Sequence, residues 1–400
     1  MQTNFNMPLS NMQEILDLKG VIVHKMNMFK KYMILEVSSN SEFCYCPDCG
    51  FPTKNVHEYK TYTVRDLPIS GRKCYLKVRK KRYKCDICGK VFTEILSFIE
   101  FGCTYTNRYS EYIYKLSKDN TVKYVSELEN IGYRKTEAIF HRKTEEKLKN
   151  MPLPYYRVIC LDEIAVKKGH KDFVLIIYSP EWGHVIDVLP NREKATLKKW
   201  LKECSFKHEI QYVVTDMWAG YKSAVVEELP KVEYIVDRFH VMKNLNDCLQ
   251  KSRREIQKTL LPEVKTKLKG SRWCLLKNES SLNEDEKLLL ENVYELSEEL
   301  GKSHKLKEDF RRFFELENKD EAKKALEKWV EDVKVSGIKA FESFLVTIEN
   351  WKESILGYFG ERMNNGYAEG MNNKIKMVKR RGFGYTNFKN FRLRILATFM

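Results

Sequence analysis

The spacing of apolar residues changes character several times along the chain. Gly20 to Val37 predicts one or two strands, and Lys60 to Val64 and Lys73 to Tyr83 are rich in strand formers. After Thr104 the pattern turns helical. Tyr109 to Leu116 is amphipathic, Thr121 to Leu128 predicts a second helix, Asn130-Ile131-Gly132 a turn, and Lys135 to Leu148 a third helix. Pro152-Leu153-Pro154 breaks that helix and marks a boundary. Short β-branched runs then predict buried strands at Arg157 to Val166, Asp172 to Ser179 and Gly183 to Leu189, the last two joined by the turn Pro180-Glu181-Trp182. A helix over Lys194 to Glu203, a strand from Ile210 to Asp216, a helix near Tyr221 to Glu228 and a strand from Tyr234 to Asp237 follow. From about Asn246 to Leu356 the chain is amphipathic helix after helix: Glu284 to Leu300, Lys305 to Leu316, Asp320 to Val335.

The run Arg157-Val158-Ile159-Cys160-Leu161-Asp162-Glu163-Ile164-Ala165-Val166 organises the rest, and the basic segment Lys167-Lys168-Gly169-His170-Lys171 follows it. A carboxylate at the centre of a buried strand is costly without a base, hydrogen-bond donors or a metal ion beside it. The order βββαβαβα is that of the ribonuclease-H-like fold, where the first and fourth strands are neighbours. Asp162 and Asp216 would then face one cleft, and a divalent cation makes such a pair favourable. A third ligand is expected from the C-terminal segment, where Glu369 is the one acid in Asn364-Asn365-Gly366-Tyr367-Ala368-Glu369-Gly370-Met371-Asn372-Asn373-Lys374. Glu163 is expected to serve the fold or to steady the ligands. Asp237 and His240 have two readings: groups that orient a ligand or contact a phosphate, or a helix N-cap and a packed ring. Trp218 is expected in the core, with stacking on an unpaired base as the alternative.

Composition adds a partner and a compartment. Lys and Arg number 71 against 55 Asp and Glu, a formal charge of +16 and a pI near 9.1, which points to a polyanion such as nucleic acid. No apolar run approaches the roughly 20 residues that span a bilayer, and Met1 to Leu18 has no signal-peptide core, so a cytoplasmic, nucleoid-associated protein is expected. The odd count of eleven cysteines argues against a disulfide framework. Cys46-Pro47-Asp48-Cys49-Gly50 and Cys85-Asp86-Ile87-Cys88-Gly89 are C-x₂-C turns, each able to present two thiolates to one tetrahedral ion, so Cys46, Cys49, Cys85 and Cys88 are expected to hold structural Zn²⁺. Cys44 is the alternative ligand, whereas Cys74 and Cys103 look like ordinary thiols. Beside this ribbon Arg72, Lys73, Arg79, Lys80, Lys81, Arg82 and Lys84, interleaved with Tyr83, suit phosphate contact. Two short helices around a Gly-containing turn give a helix-turn-helix outline, whose last helix offers Arg134, Lys135, His141, Arg142 and Lys143 to DNA. Lys374, Lys376, Lys379, Arg380 and Arg381 form another basic face after Glu369.

The zinc pairs, Val64-Arg65-Asp66-Leu67-Pro68, Leu161-Asp162-Glu163, Asp216-Met217-Trp218 with Tyr221, Asp237-Arg238-Phe239-His240, and Asn365-Gly366 with Glu369-Gly370 and Asn372 resemble the IS-L-three family of bacterial insertion-sequence transposases. The resemblance runs in order over essentially the whole chain. It implies a DDE transposase whose catalytic residues Asp162, Asp216 and Glu369 bind two Mg²⁺ (or Mn²⁺), and which acts as a homodimer on terminal inverted repeats and target DNA. The implied architecture is an α/β ribonuclease-H-like core interrupted by an all-helical insertion, preceded by a zinc ribbon and a helix-turn-helix domain. Its expected parts are 1–101 (zinc-binding), 102–153 (helix-turn-helix), 154–245 (catalytic, first part), 246–356 (insertion) and 357–400 (catalytic, final part). A catalytically inactive, transposase-derived DNA-binding regulator is the competing expectation, and a structure-specific nuclease is a third.

Overall fold

A computed structural model describes residues 9–152, 154–166, 172–363 and 366–400; the side chains at 9, 10, 267 and 366–369 and the basic run 167–171 lie outside the described residues. The chain divides into two compact units, Met1–Met151 and Pro152–Met400. No helix among the described residues is long and apolar enough to cross a membrane.

The first unit opens with helix α1 (Leu9–Leu16) and continues through β1 (Val21–Met28), β2 (Tyr32–Ser39), β3 (Cys44–Tyr45), β4 (Pro52–Thr53), β5 (Val56–Ile69), β6 (Arg72–Lys84) and β7 (Val91–Thr93). The large sheet has the order β1-β2-β6-β5, with β7 on the end of β6; β2 and β6 run parallel and the other pairs antiparallel. Alternation along β2 and β6 sends Met33, Leu35, Val37, Cys74, Leu76 and Val78 to one face, where they bury Met12 and Leu16 of α1. The two longest strands turn back at Ser70-Gly71, both at positive φ (51° and 72°), the twist a two-residue hairpin needs.

Three helices complete the unit: α2 (Asn107–Asp119), α3 (Val122–Glu129) and α4 (Tyr133–Asn150). Thr106 and Thr121 cap α2 and α3 by accepting from the Tyr109 and Tyr124 amides, and Asn130 ends α3 in the left-handed conformation. A buried polar seam ties them to the sheet. Arg65 donates to Glu129 at 3.1 Å, and Asp66 accepts from Thr106 at 2.7 Å and from Arg108 Nε at 2.8 Å.

The second unit begins with β8 (Val158–Ala165), β9 (Phe173–Ser179), β10 (His184–Leu189), α5 (Lys194–Glu203), β11 (Tyr212–Thr215), α6 (Ala219–Glu228) and β12 (Glu233–Val236). Its sheet has the order β10-β9-β8-β11-β12, antiparallel from β10 to β8 and parallel from β8 to β12. The first and fourth strands are therefore hydrogen-bonded neighbours, and Val158 to Leu161 at the centre are buried on both faces.

The rest is helical: α7 (Arg238–Thr259), α8 (Pro262–Lys267), α9 (Ser271–Leu276), α10 (Glu284–Leu296), α11 (Glu298–Phe313), α12 (Lys319–Ser336), α13 (Glu342–Leu356), α14 (Tyr358–Glu361), α15 (Gly366–Arg381) and α16 (Phe388–Phe399). The helix expected over Glu284 to Leu300 is two helices broken at Ser297. Its hydroxyl accepts from the Leu300 amide, with Glu298 and Glu299 in the new first turn, so a strong N-cap overrides the continuing apolar period. Phe310, Trp329 and Phe344 meet edge-on at the centre of this helical region. α15 and α16 return to the sheet, α15 along β8 and α16 along β10, where Arg392 donates to Asp187 at 2.6 Å.

Candidate functional site

Two sites emerge, one in each unit. In the first, β3 and β4 flank one C-x₂-C turn, and the ends of β6 and β7 flank the other. The turns have the same wiring: Cys46 N–H donates to Phe51 and Gly50 N–H back to Cys46, while Cys85 N–H donates to Lys90 and Gly89 N–H back to Cys85. Gly50 and Gly89 sit at φ of 72° and 71°, the left-handed conformation that lets the amides fold round the sulfurs. The Sγ atoms of Cys46, Cys49, Cys85 and Cys88 all lie within 4.8 Å of one another, with Cys46–Cys88 at 3.6 Å and Cys49–Cys85 at 3.5 Å. A tetrahedral zinc with bonds of about 2.3 Å has sulfur–sulfur edges of about 3.8 Å, so the four thiols fit that ion. Cys44 lies outside the cluster, on β3 opposite Thr53. Asp86 clamps the turns together by accepting from Thr53 at 2.7 Å and Asn55 at 3.0 Å.

In the second unit, Asp162 lies in the second half of β8 and Asp216 just past the end of β11, on adjacent strands. Asp162 accepts from the Glu163 amide at 2.6 Å through Oδ1 and from Asn372 Nδ2 of α15 at 2.5 Å through Oδ2. Burial holds its carboxyl above the ordinary aspartate range, the charge of Asp216 adds to that, and the Asn372 bond opposes it. His240, one turn into α7, puts Nε2 at 2.7 Å from Asp216 Oδ1, yet this buried oxygen has no well-aligned donor. Burial alone would lower the His240 pKa, but the Asp216 carboxylate outweighs it and the ring is held above its usual value. Asp237 is the N-cap of α7 and accepts from the Phe239 amide.

Glu163, in the wall of the same cleft as Asp216, is engaged by Tyr221 Oη at 2.8 Å and Arg192 Nη1 at 3.1 Å. Trp218 is not in the core. It is 43% exposed at the start of α6, with the Arg192 guanidinium 5.0 Å from its ring, because the chain turns there at the rim of the sheet. These residues line an open cleft of about 370 Å³, walled by Glu163, Arg192, Asp216, Trp218 and the α7 face His240, Lys243, Asn244 and Asp247.

Glu369 lies on α15, three positions before Asn372; its side chain lies outside the described residues. Further along α15, Lys379 donates to the Ala165 carbonyl at 2.7 Å and Lys374 sits over Phe399, while Lys376 and Arg380 are exposed. In the first unit Arg79 is exposed over Tyr59, Lys80 lies over Tyr62, Lys81 is tied to the Ser41 carbonyl at 2.5 Å and Arg82 pairs with Glu58. On α4, Arg134 and Lys135 are exposed, but Arg142 and Lys143 turn inward onto Glu100. Arg192 was not singled out from the sequence, and Asn372 was named only among the residues that carry the family resemblance, with no role of its own. Asn372 was findable, one helical turn from Glu369, whereas Arg192 stands in a loop with no local signal.

Four clustered thiols that fit zinc, beside three helices in one unit, and two acids on adjacent strands in the other, define a zinc-ribbon protein with an acid pair on a mixed sheet. Comparison with known proteins makes the class specific. A family model described as transposase matches residues 159–395, and one described as the zinc-finger of transposase IS204/IS1001/IS1096/IS1165 matches residues 42–88. The chain belongs to the IS-L-three family of transposases. It is 25% identical over 359 residues to the transposase for insertion sequence element IS1001 of Bordetella parapertussis, covering 88% of each chain. To the transposase for insertion sequence element IS1557 of Mycobacterium tuberculosis it is 24% identical over 289 residues, covering 65% of this chain and 64% of that one.

Proposed function

We propose that this chain is a DDE transposase with a ribonuclease-H-like core, in which Asp162, Asp216 and Glu369 hold two divalent cations, Mg²⁺ or Mn²⁺. The observation that carries the reading is the pairing of two acids on adjacent strands β8 and β11, one raised by burial and by its neighbour's charge and the other with a buried oxygen lacking an aligned donor. Such a pair fits a cation better than it fits water-free protein. The spacing of Glu369, one helical turn from the residue that touches Asp162, supports it as the third ligand. The strand order, with three antiparallel strands followed by two parallel ones, supports the fold assignment.

The cations, when bound, would supply Lewis acidity that activates water and relieves charge on the leaving oxygen of a phosphodiester. The protein's own groups do the positioning. Asn372 fixes one oxygen of Asp162, His240 stands against Asp216, and Arg192 together with Tyr221 neutralises Glu163 so that it does not compete for the site. Hydrolysis at an element end frees a 3′-OH; its attack on a target phosphorus forms the new P–O bond as the bond to the target strand's 3′-oxygen breaks, leaving a 3′-OH on the target. Lys243 and Asn244 on the α7 wall of the cleft suit the phosphate backbone. The zinc ribbon and the helix pair α3–α4, with Arg79, Arg134 and Lys135 exposed, would bind the terminal inverted repeats, and synapsis of two ends calls for a homodimer on DNA.

The test is Mg²⁺-dependent nicking of a duplex carrying the element's end. Asp162→Asn, Asp216→Asn and Glu369→Gln are each expected to abolish cleavage while leaving duplex binding intact. Wild-type rates in any one variant remove that residue from the site. A wild-type chain that binds the end but never cuts it, whatever the cation, would instead be the regulator.

A further inference from the structure

α15 ends in a loop that the cleavage chemistry does not use. The Phe383 amide donates to the Arg380 carbonyl at 3.1 Å and the Gly384 amide to the Lys379 carbonyl at 3.3 Å, which together make a Schellman turn. The residue in its left-handed position, at φ 53°, is Phe383. That position ordinarily belongs to glycine because a side chain crowds the neighbouring carbonyl. Here glycines stand on both sides, at 382 and 384, and the crowded place holds a phenylalanine whose ring is 95% exposed. Backbone preference and burial both argue against this residue, so its ring is held out for another purpose.

The support beneath it is firm. A Cβ at Gly382 would stand 2.5 Å from the Tyr385 ring, so only glycine lets that ring close over the loop. Tyr385 in turn packs at 5.0 Å on Phe391, which is buried in α16. The surroundings identify the occupant. Between Gly370 and Met400 there is no Asp or Glu and there are eight Lys and Arg. Among these Lys376, Arg380 and Arg381 are exposed and have no carboxylate partner among the described residues. A bare aromatic ring set among unpaired cations suits a polyanion that has flat faces. From Asn372, at the Asp162 carboxylate, to Phe383 the chain rises about 16 Å, or roughly five base steps along a strand.

We infer that Phe383 stacks on an unpaired nucleobase of the DNA, with Arg380 and Arg381 holding the adjoining phosphates. This rests on the chain acting on DNA, but its readouts do not involve cleavage. The full chain, without divalent cations, is titrated with a duplex bearing a short unpaired bulge that contains 2-aminopurine, and with the fully paired duplex of the same sequence. The bulged duplex is expected to bind about tenfold tighter, or about 1.4 kcal/mol, with its fluorescence quenched. Phe383→Ala abolishes the preference and the quenching and leaves affinity for the paired duplex unchanged, whereas Phe383→Trp keeps both. Phe383→Gly also loses the preference but raises the thermal midpoint by about 2 °C, since it relieves the strained turn. Arg380→Ala with Arg381→Ala weakens binding to both duplexes and flattens the salt dependence. A Phe383→Ala chain that retains preference and quenching overturns the inference. So does one whose sole change is a shift from dimer to monomer in sedimentation, which assigns the ring to a second copy of the chain. Mg²⁺-dependent nicking by the wild-type chain is scored separately, so a failed stack and a failed active site are told apart.

Discussion

Arg65 is the residue on which the first unit's two halves depend, and its loss has a calculable effect. Its guanidinium donates to Glu129 at 3.1 Å and lies over the rings of Tyr75 at 4.9 Å and Tyr109 at 5.3 Å; Arg65 and Glu129 are both buried. At an effective dielectric of about 20 the pair attracts by about 5 kcal/mol, a gain that desolvation of the two charges largely offsets. Arg65→Ala removes the attraction but leaves Glu129 buried, supported by the Tyr109 and Tyr112 hydroxyls at 3.1 and 3.0 Å. The expected loss is about 3–5 kcal/mol, whereas Arg65→Met with Glu129→Leu returns to within about 1–2 kcal/mol of the parent. Hydrogen exchange on the full chain reads this directly. Amides of α3 and α4 that open with the unit should exchange on the order of a few hundredfold to a few thousandfold faster in Arg65→Ala. All six tryptophans lie at or beyond Trp182, so their fluorescence follows the second unit alone and serves as the control. A single variant within about 1 kcal/mol of wild type, or a double variant no better than the single, would refute the argument.

Zinc and pH supply the remaining predictions. The purified chain should carry zinc by elemental analysis, and Cys85→Ser should lose it and expose the amides of β3, β4 and β7 to exchange; zinc retained at the wild-type level would dismiss the four-thiol site. His304, fully buried on α11 with Nδ1 at 2.8 Å from Tyr294 Oη, is held down to about 4 by burial, from an ordinary 6.5. A ring that resists protonation when folded stabilises the fold above pH 6.5 and loses that contribution as pH falls towards 4, on the order of 3 kcal/mol in all. Unfolding midpoints measured across that window should drop in the parent and flatten in His304→Phe, and equal slopes would exclude the histidine as the cause.

Local spacing carries far in this chain. Two C-x₂-C-Gly turns need only their own few residues to present paired thiols, and runs such as Val158 to Asp162 and Tyr212 to Asp216 announce buried strands that end near an acid, because a period of two or an unbroken apolar run is written in consecutive side chains. Those features were legible without coordinates, as was the family. What consecutive residues cannot encode is which distant group a charge will meet. The basic run on α4 looks uniform, yet Glu100 draws Arg142 and Lys143 inward while Arg134 and Lys135 stay exposed, Lys135 bonded to the Thr104 hydroxyl at 2.9 Å. Ser297 splits a helix that apolar period alone would continue, and Trp218 stands in solvent because the chain turns at the sheet's rim. Arg192 on Glu163, His240 against Asp216 and Asn372 on Asp162 likewise exist only once the sheet and α15 have closed. An ion pair or a hydrogen bond is decided within about 3 Å in space, and sequence order sets no such distance.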